Sequence, residues 1–308
     1  MKYYLGHHIV RDRQNKKIFL DQSAMIMDMA TKFDLPLHGS FPSTPMEYLP
    51  QEKKSMSLLN EKAIKDYQSR VGSVLYVAMH SRPDILFATS TCTTKTKSPT
   101  TQDLTAINRI ISYLVKTKDI ALKLGSNEGI VLYGTVDASY ATNDDSRSHT
   151  GFTLHIGKDS GAIMATSKKQ KIIADSSTIA EFIATHIVAK EILWCRRLLL
   201  SLGYPQLEPT ILFEDNKSTI SMIKNKCNGK RTKHIDVRYN LIRELCEQMV
   251  IAMTYLASGD MTSDTLTKSL SPAPFIHLRK KIMGKLALRL YPSLKFELEK
   301  SQEISILF

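Results

Sequence analysis

The sequence predicts an α/β protein in which a mixed sheet flanked by helices follows a mostly helical region. Three observations carry that prediction. Strand-length apolar runs separated by short turns begin near residue 126. A long, largely apolar helical stretch at 176–202 interrupts them, and strands return after it. Ahead of them, residues 62–120 hold apolar side chains at helical spacing. The resulting order βββ-α-β-α-α-β-α implies one mixed sheet with helices on its faces.

The elements follow in order. Residues 3–10 read as a strand, 11–15 as a turn and 17–20 as a returning strand, so the chain opens on a hairpin. Asp21 or Ser23 can cap a helix carrying Met25, Met29 and Phe33 on one face. Pro36, Pro42, Pro45 and Pro50 with Gly39 mark an irregular crossing segment. Tyr67, Val71, Val74, Leu75 and Ala78 then keep one helical face, and Arg82-Pro-Asp84 breaks and restarts the chain. Ile107, Ile110, Ile111 and Leu114 make a second amphipathic helix, and 116–123 closes the helical region. Runs at 130–136, 150–156 and 162–165 form an antiparallel meander. After the long helix come a strand at 210–213, helices at 216–226 and 233–248, a strand at 250–256 and a short helix at 263–270. Trp194, at helical spacing with Leu198, reads as core. Beyond 271 there is one basic amphipathic segment and no further clear core. These shifts divide the chain into 1–50, 51–125, 126–271 and 272–308.

Composition narrows the partners. The chain has 308 residues, 43% of them hydrophobic, enough for one large domain or two with ample core. Lys and Arg number 42 against 30 Asp and Glu, and the net charge of +12 favours a polyanionic partner. The cations gather at 168–171, 224–238 and 279–289, although any one such cluster also fits a solvated helix face. Cys92, Cys195, Cys227 and Cys246 form no Cys-x-x-Cys pair and have no His at zinc-ligand spacing, so reduced thiols are expected. No run is long and apolar enough to span a bilayer, and no signal-peptide layout opens the chain. A soluble, intracellular protein with no membrane partner is expected.

Four carboxylates stand where chemistry could use them. Asp137 follows a continuous apolar run, where a carboxylate costs desolvation energy unless something binds it, although on this stretch alone an Asp that starts a turn is the plainer reading. Glu181 lies early in the long helix between Ala180 and Phe182, where the helix dipole is its ordinary explanation. Asp215 follows Ile211-Leu-Phe213 and precedes a helix, and Asp264 precedes Thr265-Leu-Thr-Lys268, so capping could account for either. Together, three sit at a strand end or helix start of one sheet and the fourth on the helix that covers it. Such ends converge on one crevice. Four anionic oxygen donors there call for hard cations, and Mg²⁺ suits carboxylates completed by water and phosphate oxygens. A pair of such ions can clamp a phosphodiester displacement, with the basic clusters on the nucleic-acid backbone.

The order of short motifs resembles the C-terminal part of the Pol polyprotein of copia-type (Ty/copia) LTR retrotransposons, the end of reverse transcriptase plus ribonuclease H. Arg70-Val-Gly-Ser-Val-Leu-Tyr76, Arg82-Pro-Asp-Ile85 and Tyr113-Leu-Val-Lys-Thr117 match its connecting region. Val136-Asp-Ala-Ser-Tyr-Ala141, Ser148-His-Thr-Gly151, Ser167-Lys-Lys-Gln170 and Ser176-Ser-Thr-Ile-Ala-Glu-Phe182 follow. Asp215-Asn216, Thr232-Lys-His-Ile-Asp236 and Ser263-Asp-Thr-Leu-Thr-Lys268 complete the series.

The resemblance implies a ribonuclease H-like, five-stranded mixed sheet behind a helical thumb or connection region. It implies that Asp137, Glu181, Asp215 and Asp264 hold two Mg²⁺ ions, with no small-molecule cofactor, and that the substrate is the RNA strand of an RNA–DNA hybrid. Lys168, Lys169, Arg231 and Lys233 would lie near the hybrid's phosphates. The location implied is cytoplasmic, in virus-like particles, or nuclear. The chain departs from the family pattern at Ile179, Ser139 and Asp103, where the family usually has Glu, an acid and His. The Tyr-x-Asp-Asp polymerase motif is missing, so a self-sufficient reverse transcriptase is excluded and contiguity with upstream Pol segments is expected. The alternative is a catalytically silent remnant of a degenerate element, at most a basic nucleic-acid-binding scaffold.

Overall fold

Two sheets organise the chain, and one short strand ties the first to the start of the second. The computed structural model describes residues 3–48, 57–126, 129–142, 145–157, 159–224 and 233–284, with the backbone alone over 233–239. Arg231, residues 49–56 and the tail past Gly284 lie outside the described residues.

The first sheet is antiparallel. Strand β1 (Tyr3–Tyr4) pairs with β2 (His7–Asp12), β2 with β3 (Lys17–Asp21), and β3 with β4 (Leu122–Leu124). The opening strand is therefore interrupted at Leu5-Gly6, where both residues take positive φ, and it runs two residues into the expected turn. β4 replaces the last part of the expected helical region. Its Lys123 N–H donates to Met283 O (3.1 Å), and Gly161 N–H donates to Lys123 O (2.6 Å). A Cβ on Gly284 would lie 2.6 Å from Lys123 O and 2.7 Å from Gly161 N, so only a glycine passes there.

Helices α1 (Ser23–Lys32), α2 (Glu61–His80), α3 (Leu86–Thr94) and α4 (Thr101–Lys116) pack around the first core. Local chemistry sets their starts. Asn60 accepts from Ala63 N–H (2.9 Å) at α2, and Thr100 with Asp103 forms a reciprocal capping box at α4. Asp103, one of the departures from the family pattern, is thus occupied in a cap. α8 (Pro272–Ile282) closes this core, burying Phe275, Ile282 and Met283 against it, and its Leu278 is buried as well. The expectation of no further core after 271 is corrected here: those side chains sit at helical spacing, and of the basic residues between them Lys280 is exposed while Arg279 turns in to the Tyr113 hydroxyl.

The second sheet has five strands in the order β7-β6-β5-β8-β9. β5 (Leu132–Ser139), β6 (His149–Ile156) and β7 (Ala162–Lys169) form the antiparallel meander. β8 (Thr210–Glu214) joins β5 in parallel, and β9 (Ile251–Tyr255) joins β8 in parallel. α5 (Ser177–Ser201), α6 (Lys217–Lys224) and α7 (Lys233–Glu247) account for the parallel crossovers. α5 is capped by Ser176 and buries Val188, Ile192, Cys195 and Leu199 against this sheet's core. Trp194 is 55% exposed and Leu198 41%, so the expected core position of Trp194 is wrong. α5 is apolar on both sides of its axis, and the stripe through Val188 and Ile192 is the one that meets the sheet.

Candidate metal centre

β5 carries Asp137 two residues before its end, opposite Gly151 of β6. Across the sheet, β8 ends at Glu214 and the chain turns at Asp215. The cap of α6 is Asn216, whose side chain accepts from Thr219 N–H (3.0 Å), so Asp215 is released from the capping role that the sequence left open. It accepts instead from the Ser258 hydroxyl (2.7 Å). Glu181 comes down from the second turn of α5 over the same strand ends and is 5% exposed. One carboxylate oxygen each from Asp137, Glu181 and Asp215 lies within 4.8 Å of the other two.

Asp264 arrives on a 3-10 turn, Thr262–Leu266, pinned to the sheet by hydroxyls. Thr135, Thr153 and Thr262 bond to one another at 2.8–2.9 Å, and Ser263 N–H donates to Thr135 Oγ1 (3.1 Å). A Cβ on Gly151 would meet Leu266 Cβ at 2.8 Å and Ser263 O at 3.0 Å, so that glycine lets the turn lie close to the sheet. The turn ends in Thr267, which donates to Asp137 Oδ2, and Lys268. The Lys268 ammonium is 3.1 Å from Asp264 Oδ2 and 3.7 Å from Asp137 Oδ2. Asp264 is thus beside the trio but outside the three-residue group.

The electrostatics are those of crowded, buried acids. Burial raises Asp137 above the carboxylate range, with Asp215 adding to it and Lys268 and Thr267 opposing it. Burial, then Glu214 and Asp137, pushes Glu181 far up. Burial and Asp137 raise Asp264 to about 7 despite Lys268. Glu181 Oε2 and Asp264 Oδ1 are buried without a hydrogen-bond partner. Buried carboxylate oxygens left unpaired are costly unless a proton or cation completes them, and an all-oxygen donor set fits Mg²⁺ or Mn²⁺.

Sequence reasoning missed Glu214. It is fully buried, raised to about 8 by burial, and accepts from Asn216 N–H (3.0 Å) and the Thr185 hydroxyl (3.4 Å). Its signal was available: Glu214 is in phase with Thr210 and Leu212, the inward side of β8. Lys268 closes the motif Ser263-Asp-Thr-Leu-Thr-Lys268, whose sequence alone gives the lysine no role.

The expected phosphate contacts divide. Lys168 is exposed at the end of β7, and Lys169 pairs with Asp145 (2.8 Å). Both, with Lys171 and Lys190, border a groove of about 350 Å³ with Ile183 and Ile187 on its wall. Lys233 starts α7, where only the backbone is described, and Arg231 lies outside the described residues. Among the described residues, no helix is long and apolar enough to cross a membrane.

A five-stranded sheet in this order, with an acidic trio of two buried and one half-buried carboxylate over its central strand ends, defines a ribonuclease H-like fold carrying a candidate metal site. No protein-family model matches the chain. The retrovirus-related Pol polyprotein from transposon TNT 1-94 of Nicotiana tabacum is 34% identical over 286 residues, 91% of this chain and 21% of its own length. That from transposon RE1 of Arabidopsis thaliana is 30% identical over 286 residues, 92% of this chain and 19% of its own. The chain belongs to the copia-type retrotransposon Pol family, matching its reverse transcriptase–ribonuclease H region. It spans about a fifth of the length of these curated relatives. A solved ribonuclease H1 isolated from compost, LC11-RNase H1, overlays at a TM-score of 0.34 with 9% identity, over 44% of this chain and 92% of its own.

Proposed function

We propose that the chain hydrolyses the RNA strand of RNA–DNA hybrids, with Asp137, Glu181, Asp215 and Asp264 as its acidic centre. The observation that carries this reading is the convergence of Asp137, Glu181 and Asp215 within 4.8 Å, with Glu181 Oε2 buried and unpartnered. Divalent ions bound there would supply charge for a phosphodiester displacement and an acidified water. The chain's own residues do the rest. Thr267 and Lys268 orient Asp137, Ser258 holds Asp215 at the rim, and the Thr135–Thr153–Thr262 cluster fixes the turn that brings Asp264. Lys168, Lys171 and Lys190 lie along a groove suited to phosphates, and Lys233 and Arg231 are proposed to extend it. Polymerisation is left to other Pol segments, and the small share of its relatives that the chain matches supports work in continuity with them.

The test is incubation of purified protein with a labelled RNA–DNA hybrid in Mg²⁺ or in chelator. Mg²⁺-dependent cutting of the RNA strand is expected, lost in Asp137→Asn while hybrid binding persists. A folded protein that cuts under no divalent metal sinks the enzymatic reading in favour of a silent scaffold. Cutting that survives Asp137→Asn sinks the site.

A further inference from the structure

We propose that the ammonium of Lys268 fills the second cation position of the acidic centre, so that the free protein takes up one divalent ion where four ligating carboxylates would suggest two. The inference rests on the metal-site reading above and deepens it.

The geometry separates the carboxylates into two sets. Asp137, Glu181 and Asp215 offer oxygens within 4.8 Å of one another, one pocket for one ion. Asp264 is outside that group, and Lys268 Nζ stands between it and Asp137, 3.1 Å from one and 3.7 Å from the other. A second divalent ion shared by Asp137 and Asp264 would need the space between those two carboxylates. The ammonium already faces both. Two cations at such separation repel strongly in a partly desolvated site, so lysine and second ion compete for one position.

The backbone explains why the lysine is there. Lys268 follows Asp264 by four residues, and its N–H donates to Asp264 O (3.3 Å) as the 3-10 turn closes. The same turn directs the Thr267 hydroxyl onto Asp137 Oδ2. One short segment therefore delivers Asp264, a hydroxyl and an ammonium to one side of Asp137, and the other two ligands approach from β8 and α5. The Lys268 side chain is 40% exposed, against 4% for Asp137 and 6% for Asp264. An ammonium at the rim, tethered by two buried carboxylates, is placed to face an incoming phosphate without leaving the cluster. Asp264 Oδ1 has no partner even with the lysine present, which is the coordination capacity a second ion would use if the lysine left.

The experiment counts ions on the full chain without substrate. Mn²⁺ is titrated into wild type, Lys268→Met and Lys268→Arg at neutral pH, and free Mn²⁺ is read by its electron paramagnetic resonance signal. Wild type and Lys268→Arg are expected to bind about one ion, and Lys268→Met about two. Asp264→Asn in the Lys268→Met background returns the count to about one, which ties the extra ion to Asp264. Circular dichroism confirms folding of each variant, and Lys268→Gln replaces Lys268→Met if the latter fails to fold. Two ions on wild type overturn the inference and leave the metal site standing. One ion on wild type, Lys268→Met and Lys268→Gln alike also overturns it. No ion on any of them removes both readings.

Discussion

The guanidinium of Arg82 closes a two-pronged ion pair on Asp84, Nε to Oδ1 at 2.9 Å and Nη2 to Oδ2 at 2.8 Å, with each residue only 1% exposed. The remaining valences are taken: Arg82 also donates to Thr117 O and Oγ1, and the Tyr113 hydroxyl donates to Asp84 Oδ2 (2.6 Å). Arg279 of α8 reaches the same Tyr113 hydroxyl (3.1 Å). A pair this dry contributes little net stability when whole and costs heavily when halved. Asp84→Asn is expected to destabilise the protein by about 3–5 kcal/mol, read as a lower urea midpoint with the slope unchanged. A loss below about 1 kcal/mol contradicts the burial seen here.

Metal-free stability should fall as pH rises. Asp264 and Glu214 are raised to about 7 and about 8, and Glu181 is raised further. Groups protonated in the folded state and ionised in the unfolded one stabilise fully below the unfolded pKa, and that stability is lost as pH rises through the folded value. In chelator, the melting temperature contributed by these groups therefore drops from about pH 5 towards pH 8. Added Mg²⁺ should recover more at pH 8 than at pH 5.5. Glu214→Gln should flatten the chelator curve; an unchanged curve removes Glu214 from the account.

Gly151→Ala is expected to disturb the centre without touching a ligand. The new methyl would meet Thr267 Cγ2 at 2.6 Å, Leu266 Cβ at 2.8 Å and Ser263 O at 3.0 Å, pushing the turn off β6. The expected cost is about 1–3 kcal/mol, with a weaker hold on divalent ions. Wild-type Mn²⁺ affinity in this variant would show that the turn's position does not matter.

The lysine groove should register in salt dependence. Lys168→Ala and Lys190→Ala are each expected to weaken hybrid binding and to reduce the log–log salt slope by about 1. Lys169→Ala should do less, because Asp145 already pairs with that lysine. Equal effects from all three would assign the groove a diffuse rather than a local role.

Much of this was legible in the chain. Apolar runs and the long helix predict the element order of a mixed sheet, the resemblance implies its five strands, and strand ends with the covering helix single out Asp137, Glu181, Asp215 and Asp264 as candidates. What resisted reading was orientation and tertiary partnership. Nothing local told which stripe of α5 faces the sheet, so Trp194 was misplaced. Phe275, Leu278 and Ile282 had the right spacing, but the basic residues among them made a tail of a core helix. Glu214 lies one residue past the predicted strand 210–213 and so drew no attention, although the period-2 pattern places it inward. The second cation, Lys268, depends on a turn whose path is set by threonines far apart in sequence.

The backbone junction of Lys123, Gly161 and Gly284 has a consequence for how the molecule is made. Strand β3 finds its second partner, β4, about a hundred residues later, and the helix that closes the same core comes last of the described elements. During synthesis the hairpin emerges long before either neighbour exists, with Phe19 and the α1 side chains uncovered in the meantime. Such late closure predicts slow, single-step acquisition of the first core and a need for chaperone shelter until residue 284 has cleared the ribosome. Truncation before α8 would leave the nascent chain waiting for a partner that never comes.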